Sequence, residues 1–296
     1  MKKMDRKFVL NEIQKNVEAL SAPSAYIPIH QKATPSVKAL EEMMSLLRKT
    51  MYPGFFGAES EVPHEFVPYH LGIYLEQIYD ILETQIFNGL RFETECQDEA
   101  KEQAARIAIE FINRLPRIKH LLSTDIKAIL DGDPAAKSPS EIIFCYPGVY
   151  AIFHQRIAHE LYQLGVPVIP RIITEMAHSL TGIDIHPGAQ IGEYFSIDHG
   201  TGIVIGQTAI IGNHVRLYQG VTLGAKNFTL DEQGLPMDLP RHPILEDEVI
   251  VYSNASILGR ITIGKGSVIG GNIWLTHSVP PYSKLTQSRV NEASRP

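Results

Sequence analysis

Two short clusters in the sequence could do acid–base chemistry together. Asp184-Ile185-His186-Pro187 precedes Asp198-His199-Gly200-Thr201-Gly202, with fifteen residues from Asp184 to His199. An aspartate behind a histidine fixes the imidazole tautomer and supports the imidazolium formed when the ring takes a proton. Such a pair suits activation of a hydroxyl. The glycines beside His199 let the backbone turn and come close to a ligand. A third cluster, Arg241-His242-Pro243, adds a guanidinium and another imidazole. No Gly-x-Ser-x-Gly occurs and neither Cys96 nor Cys145 lies near these clusters, so direct transfer without a covalent intermediate is expected.

Zinc chemistry is the rival. A catalytic zinc held by imidazoles needs three of them and an open fourth position. Histidines of the last third stand at His186, His199, His214, His242 and His277, without a close His-x4-His pair. His154 and His159 have that spacing but fall in a predicted helix. No metal is expected.

The elements that must position these clusters follow a six-residue beat. Aliphatic anchors fall at Ile185, Ile191, Ile197, Ile205, Ile211, Leu217 and Leu223, then at Leu245, Val251, Ile257, Ile263, Ile269 and Leu275. A small or aliphatic residue usually sits two places earlier, as at Ala189, Val215, Val249 and Ser267. This period is the signature of a β-helix, with anchors stacked inside and tight corners between short strands. The beat breaks twice, between Ile197 and Ile205 and again between Leu223 and Leu245. His199 sits in the first break and Arg241-His242 ends the second, so function is expected there.

Fifteen of the 22 glycines lie from Gly182 to Gly271, which divides the chain into a helical domain over 1–180, a β-helix over 181–288 and a short tail over 289–296. In the first part, Thr34-Pro35 reads as an N-cap with proline at the first helical position. Stripes at helical spacing follow: Val37, Leu40, Met44 and Leu47; Leu71, Leu75, Ile78, Leu82 and Ile86; Ala105, Ile109 and Ile112. Ser138-Pro139-Ser140-Glu141 reads as a capping box. A further helix is predicted from Tyr150 to Leu164. Cys96 and Cys145 read as small buried hydrophobes. A β-helix this short exposes flat faces and open ends, which predicts a homo-oligomer.

A net charge of −6 gives no basic footprint for nucleic acid or an anionic membrane. No apolar run reaches membrane-spanning length. The start, Met1-Lys2-Lys3-Met4-Asp5-Arg6, lacks the apolar core of a secretion signal, and a reducing cytoplasm is expected.

The stretch from Asp184 to Gly192, with Asp198-His199-Gly200-Thr201-Gly202, resembles bacterial serine O-acetyltransferases. So do Val221-Thr222-Leu223-Gly224, Arg241-His242-Pro243, Val279-Pro280-Pro281, Asp133-Pro134-Ala135 and Arg156-Ile157-Ala158-His159. The likeness covers about Asp131 to Pro281, half the chain. It implies an α+β fold, a helical N-terminal domain followed by a left-handed parallel β-helix of hexapeptide repeats, against the usual hand of parallel crossovers. It also implies transfer of acetyl from acetyl-CoA to the hydroxyl of L-serine, giving O-acetylserine for cysteine synthesis. His199 would be the general base and Asp184 its partner. Arg241 would hold the serine carboxylate, for which its planar fork is suited. Asp133 and Asp198 would hold the ammonium, and His242 would line the pocket. Acetyl-CoA would lie between neighbouring subunits, over Gly224-Ala225 and Tyr252 to Ala255 with Ser253, and Lys226 and Lys265 would face its phosphates. The assembly would be a homotrimer or a dimer of trimers.

The sequence departs from the family in places. The loop from Ala225 to Pro240 is longer, and Gln207 stands where many relatives carry Glu. The chain ends in Pro296 rather than the isoleucine that the family inserts into cysteine synthase, so that complex is not expected. Two other readings remain open: a hexapeptide CoA-dependent O-acetyltransferase acting on a sugar or other alcohol, and a non-catalytic β-helix scaffold. Asp133 and Arg241 suit a zwitterion over a sugar, and the intact Asp184, His199, Arg241 and His242 argue against a scaffold.

Overall fold

The computed structural model describes residues 5–22, 33–56, 64–91, 96–227 and 229–287. The predicted tail over 289–296 lies outside the described residues. The described residues up to 33 form one compact unit and those from 34 onward another. The first unit contains α1 (Arg6–Leu20), capped by Asp5, whose side chain accepts from the Lys7 N–H at 3.0 Å.

The second unit begins with helices. α2 (Val37–Met51) starts two residues later than Thr34-Pro35 suggests. Its cap is Ser36, whose hydroxyl accepts from the Ala39 N–H at 3.3 Å. Pro35 therefore lies outside the helix, and Val37 is exposed. α3 (Val67–Leu90) buries Ile78, Leu82 and Ile86 as expected. α4 (Gln97–Gly132) buries a different stripe from the one predicted. Its core face is Ala100, Ala104, Ala108, Phe111, Leu115, Ile118 and Leu122, while Ile109 is exposed. Small alanines make up part of this buried face, and a reading weighted towards bulky residues passes over them. α5 (Pro139–Cys145) has the predicted cap: the Ser138 hydroxyl accepts from the Glu141 N–H and the Glu141 carboxylate reaches back to the Lys137 N–H. α6 (Pro147–Gln163) and α7 (Ile169–Thr181) complete the layer, and α7 stops at Gly182 in the left-handed conformation. Cys96 and Cys145 are both exposed, contrary to expectation; each lies at an end of a helix, away from the core-facing stripe.

From Asp184 the chain winds as a three-sided left-handed parallel β-helix. The first sheet holds β1 (Asp184–Ile185), β4 (Val204–Ile205), β7 (Thr222–Gly224), β10 (Ser256–Leu258) and β13 (Trp274–Leu275). The second holds β2 (Gln190–Ile191), β5 (Ile210–Ile211), β8 (Ile244–Leu245) and β11 (Thr262–Ile263). The third holds β3 (Ser196–Asp198), β6 (Arg216–Tyr218), β9 (Ile250–Val251), β12 (Val268–Ile269) and β14 (Lys284–Leu285). Of the thirteen predicted anchors, Ile191 is partly buried and the rest are buried. Tyr194, His214, Glu248 and Tyr282 make the corners from the second to the third sheet with φ of 55–62°. Such angles are unusual for residues with a Cβ. The closed coil imposes them.

A buried ion pair fastens the helices to the first coil. Arg156 of α6 contacts Asp125 of α4 at 3.0 Å, with side chains only 5% and 1% exposed. The same guanidinium donates to the carbonyls of Ile191 and Gly192, and Asp125 accepts from the Phe195 N–H at 3.0 Å. Arg216 donates to the Gly132 carbonyl at 2.7 Å, holding the C-terminal end of α4 against the third sheet. These contacts fix where α4 ends, and therefore where Asp133 stands.

Candidate active site

The predicted residues gather at two corners on either edge of the first sheet. His199 lies at the corner that enters that sheet, in the left-handed conformation (φ 58°) and followed by Gly200 (φ 96°). A Cβ on Gly200 would come within 2.5 Å of Ile183, so this turn needs glycine. The His199 ring is 74% exposed and approaches Asp198 at 3.8 Å. Asp133, the C-cap of α4, comes to the same corner. Its carboxylate accepts from the Tyr146 hydroxyl at 2.7 Å and the Ala135 N–H at 2.8 Å. The Tyr146 bond first, then the Ala135 bond, hold it below the usual carboxylate range, helped by His199 and Arg216. Asp133, Tyr146, Asp198 and Arg216 line one small cleft. It presents two carboxylates, which suits a cation.

Arg241 and His242 lie at the corner that leaves the first sheet. Arg241 donates to Gln207 Oε1 at 2.6 Å and to Asp238 at 3.2 Å. His242 is buried, with its ring across Gly206; a Cβ there would stand 2.0 Å from the ring. The Thr208 N–H donates to His242 Nδ1 at 3.1 Å, which leaves the proton of the neutral ring on Nε2. Burial pushes the His242 imidazole down to about 4, and Arg241, His186 and Arg260 push the same way. Arg260 clamps the corner by donating to the carbonyls of Thr208 and His242 at 2.7 and 2.9 Å.

Asp184 opens β1 between these corners. Its Oδ1 faces Arg171 of α7 at 3.4 Å. His186, two residues on, is held low by burial and by Arg171, with Asp184 opposing and Arg241 and Asp238 adding their fields. Among the described residues no hydrogen bond or ion pair joins His199 to Asp184 or to Arg241. One chain therefore presents His199 and Arg241 apart.

The cosubstrate candidates divide between the same edges. Gly224, Ala225 and Lys226 follow β7 to the Arg241 corner, where Lys226, Arg241 and Arg260 line a cavity of about 280 Å³. Ser253 and Ala255 lie at the same edge as the His199 corner, two coils along. Ala255 is fully buried, backbone included, so one chain alone offers no surface there to a ligand. Lys265 stands at a different corner and pairs with Glu248 at 3.1 Å. A cavity of about 1000 Å³ lies between α2, α6 and α7, with Arg171 and Glu175 in its lining.

The sequence reading did not single out Tyr146, Thr208, Arg216, Arg260 or Arg171. None of them interrupts a repeat; Thr208, for instance, meets His242 from 34 residues away.

No family model matches the chain. A plasmid serine acetyltransferase of Synechococcus elongatus is 48% identical over 264 residues, covering 86% of this chain and 82% of the relative. The chain belongs to the serine acetyltransferase family. The Bacillus subtilis member is 45% identical over 165 residues, 56% of this chain and 72% of its own length. Among solved structures, Entamoeba histolytica serine acetyltransferase 1 in complex with L-cysteine has a TM-score of 0.74 at 34% identity, covering 93% of this chain and 96% of that one. The Neisseria gonorrhoeae enzyme in complex with serine has a TM-score of 0.53 at 27% identity, covering 82% and 94%. Family members thus share the whole arrangement of helical layer and β-helix. No helix among the described residues is long and apolar enough to cross a membrane.

Proposed function

We propose that the chain transfers acetyl from acetyl-CoA to the hydroxyl of L-serine, giving O-acetyl-L-serine and free CoA for cysteine synthesis. His199 takes the hydroxyl proton as the serine oxygen attacks the thioester carbonyl. The tetrahedral intermediate then collapses, and the imidazolium returns the proton to the leaving thiolate. Asp184 orients the ring and supports its charged form. Asp133 and Asp198 receive the ammonium. Arg241, aimed by Gln207, receives the carboxylate as a fork. His242 stays neutral near physiological pH and offers Nε2–H beside Arg241.

The observation that carries this reading is the charge pattern. Two carboxylates share one cleft at the His199 corner, and a guanidinium with a neutral imidazole fills the other corner. A zwitterionic amino acid matches that pattern, and a sugar does not. Because the two corners do not touch within one chain, the site is completed by a second copy, and the working form is a homotrimer or a dimer of trimers. Acetyl-CoA then lies in the groove between copies. The test is an assay of free CoA thiol with acetyl-CoA and L-serine, other amino acids or simple sugars. Turnover with L-serine at least tenfold above every alternative is expected. A preference for a sugar hydroxyl would overturn the reading.

A further inference from the structure

Asp184 is held from behind by a charged face of α7. Arg171 contacts its Oδ1 at 3.4 Å through Nη1 and contacts Glu175 through Nη2. Glu175 in turn meets His178 Nδ1 at 3.0 Å. Glu175, His178 and Asp184 bring donor atoms within 4.8 Å of one another, as a metal site would, but Arg171 already contacts both carboxylates as the cation. His186, just beyond β1, feels both Arg171 and Asp184, and Arg241 and Asp238 of the long loop act on His186 in turn.

As a structural contact this pair is weak. The Arg171 side chain is 43% exposed, and exposed ion pairs contribute about 1 kcal/mol or less. Its geometry nevertheless selects the one acid assigned to the base. A carboxylate has two oxygens; Arg171 takes Oδ1, and Oδ2 makes no hydrogen bond among the described residues.

We propose that Arg171, steadied by Glu175, is a positioning residue that fixes the Asp184 carboxylate with one oxygen free for the catalytic imidazole. This rests on reading Asp184 as the partner of His199. Two consequences follow. Without Arg171 the carboxylate is free to rotate, and misplacement of a catalytic group costs rate more than binding. Without the guanidinium, Asp184 also acts on the imidazolium with its full charge, so the base holds its proton to higher pH.

The experiment measures kcat and KM for both substrates against pH for the wild type, Arg171→Met, Arg171→Lys, Glu175→Gln, Asp184→Asn and the Arg171→Met/Asp184→Asn double variant. EDTA is present throughout, so that no stray divalent cation replaces the guanidinium. Arg171→Met should lower kcat roughly tenfold, leave the acetyl-CoA KM unchanged, and move the acidic limb of the profile up by about half a pH unit. Arg171→Lys should recover the position of the limb. Glu175→Gln should lower kcat in the same direction by less without raising the acidic limb, and it serves if Arg171→Met folds poorly. In the Asp184→Asn background, Arg171→Met should add nothing. A wild-type profile in folded Arg171→Met, alongside an impaired Asp184→Asn, would overturn the proposal and leave the dyad standing. Wild-type turnover by Asp184→Asn would remove the dyad reading, and the proposal with it.

Discussion

Replacing Arg156 by methionine should loosen the joint between the helices and the first coil in a pH-dependent way. The substitution strands Asp125, whose side chain is 1% exposed, and withdraws donors from the carbonyls of Ile191 and Gly192. Removing one partner of a buried pair costs about 3–5 kcal/mol, chiefly because the other charge is left uncompensated. Asp125 has a partial escape in protonation. Burial already pushes its carboxyl up to about 6, against the opposing pull of Arg156 and the Phe195 N–H. A folded-state value above the unfolded one means that the folded protein binds the proton more tightly. The resulting stabilisation is full below the unfolded carboxylate range near 4 and is lost as pH rises through about 6. Without Arg156 the folded value climbs further and the loss extends to higher pH. Urea unfolding followed by far-UV circular dichroism at pH 5.5 and 8 should therefore show a deficit of about 3–5 kcal/mol at pH 8 and a smaller one at pH 5.5. Hydrogen exchange at the Tyr194 and Phe195 amides, which bond to Thr124 and Asp125, should rise before that of the later coils. The serine KM should rise more than the acetyl-CoA KM, because Asp133 loses its fixed mount. A deficit under about 1 kcal/mol at pH 8, or one equal at both pH values, would refute the reasoning.

His199→Ala should lower kcat by roughly 10²- to 10⁴-fold with the assembly intact, and full turnover by the folded variant would exclude it as the base. Arg241→Lys keeps the charge but loses the fork held by Gln207, so steady-state kinetics should show serine weakened far more than acetyl-CoA. Gly206→Ala places a methyl against the His242 ring and should impair serine use while leaving the far coils unchanged by hydrogen exchange. Sedimentation velocity should give a trimer or a multiple of three, with activity lost on dissociation; a fully active monomer would contradict a site shared between copies.

The β-helix was legible because a closed coil admits few exceptions. Two residues in six must point inward, and from Ile185 to Leu275 the sequence meets that demand with an aliphatic anchor and, two places before it, a small or aliphatic residue. The candidate site was legible where it interrupts the repeat, at His199 and Arg241-His242, both of which lie at corners flanking the first sheet. What escaped were residues that do ordinary work in sequence and special work in space. Arg260 and Thr208 sit within unbroken hexads, yet they set the tautomer and mount of His242. The core face of α4 escaped for a related reason: Ala100, Ala104 and Ala108 look neutral until the fold buries them. The left-handed corners at His214 and Glu248 have no marker in residue type, because coil closure imposes them rather than local preference.

The stacked rungs of the first sheet also make a ruler. Asp184 is in register with Val204, Val204 with Thr222, Thr222 with Ser256, and Ser256 with Trp274. Four steps at about 4.8 Å place Trp274 about 19 Å along the axis from Asp184. That span is counted in whole coils and does not depend on the long loop that leaves the prism after Gly224. Lengthening the loop changes what surrounds the reacting groups without altering the graduation beneath them. Inserting or deleting one coil would move the far end by a full rung, so a molecule lying along this face is measured in discrete increments.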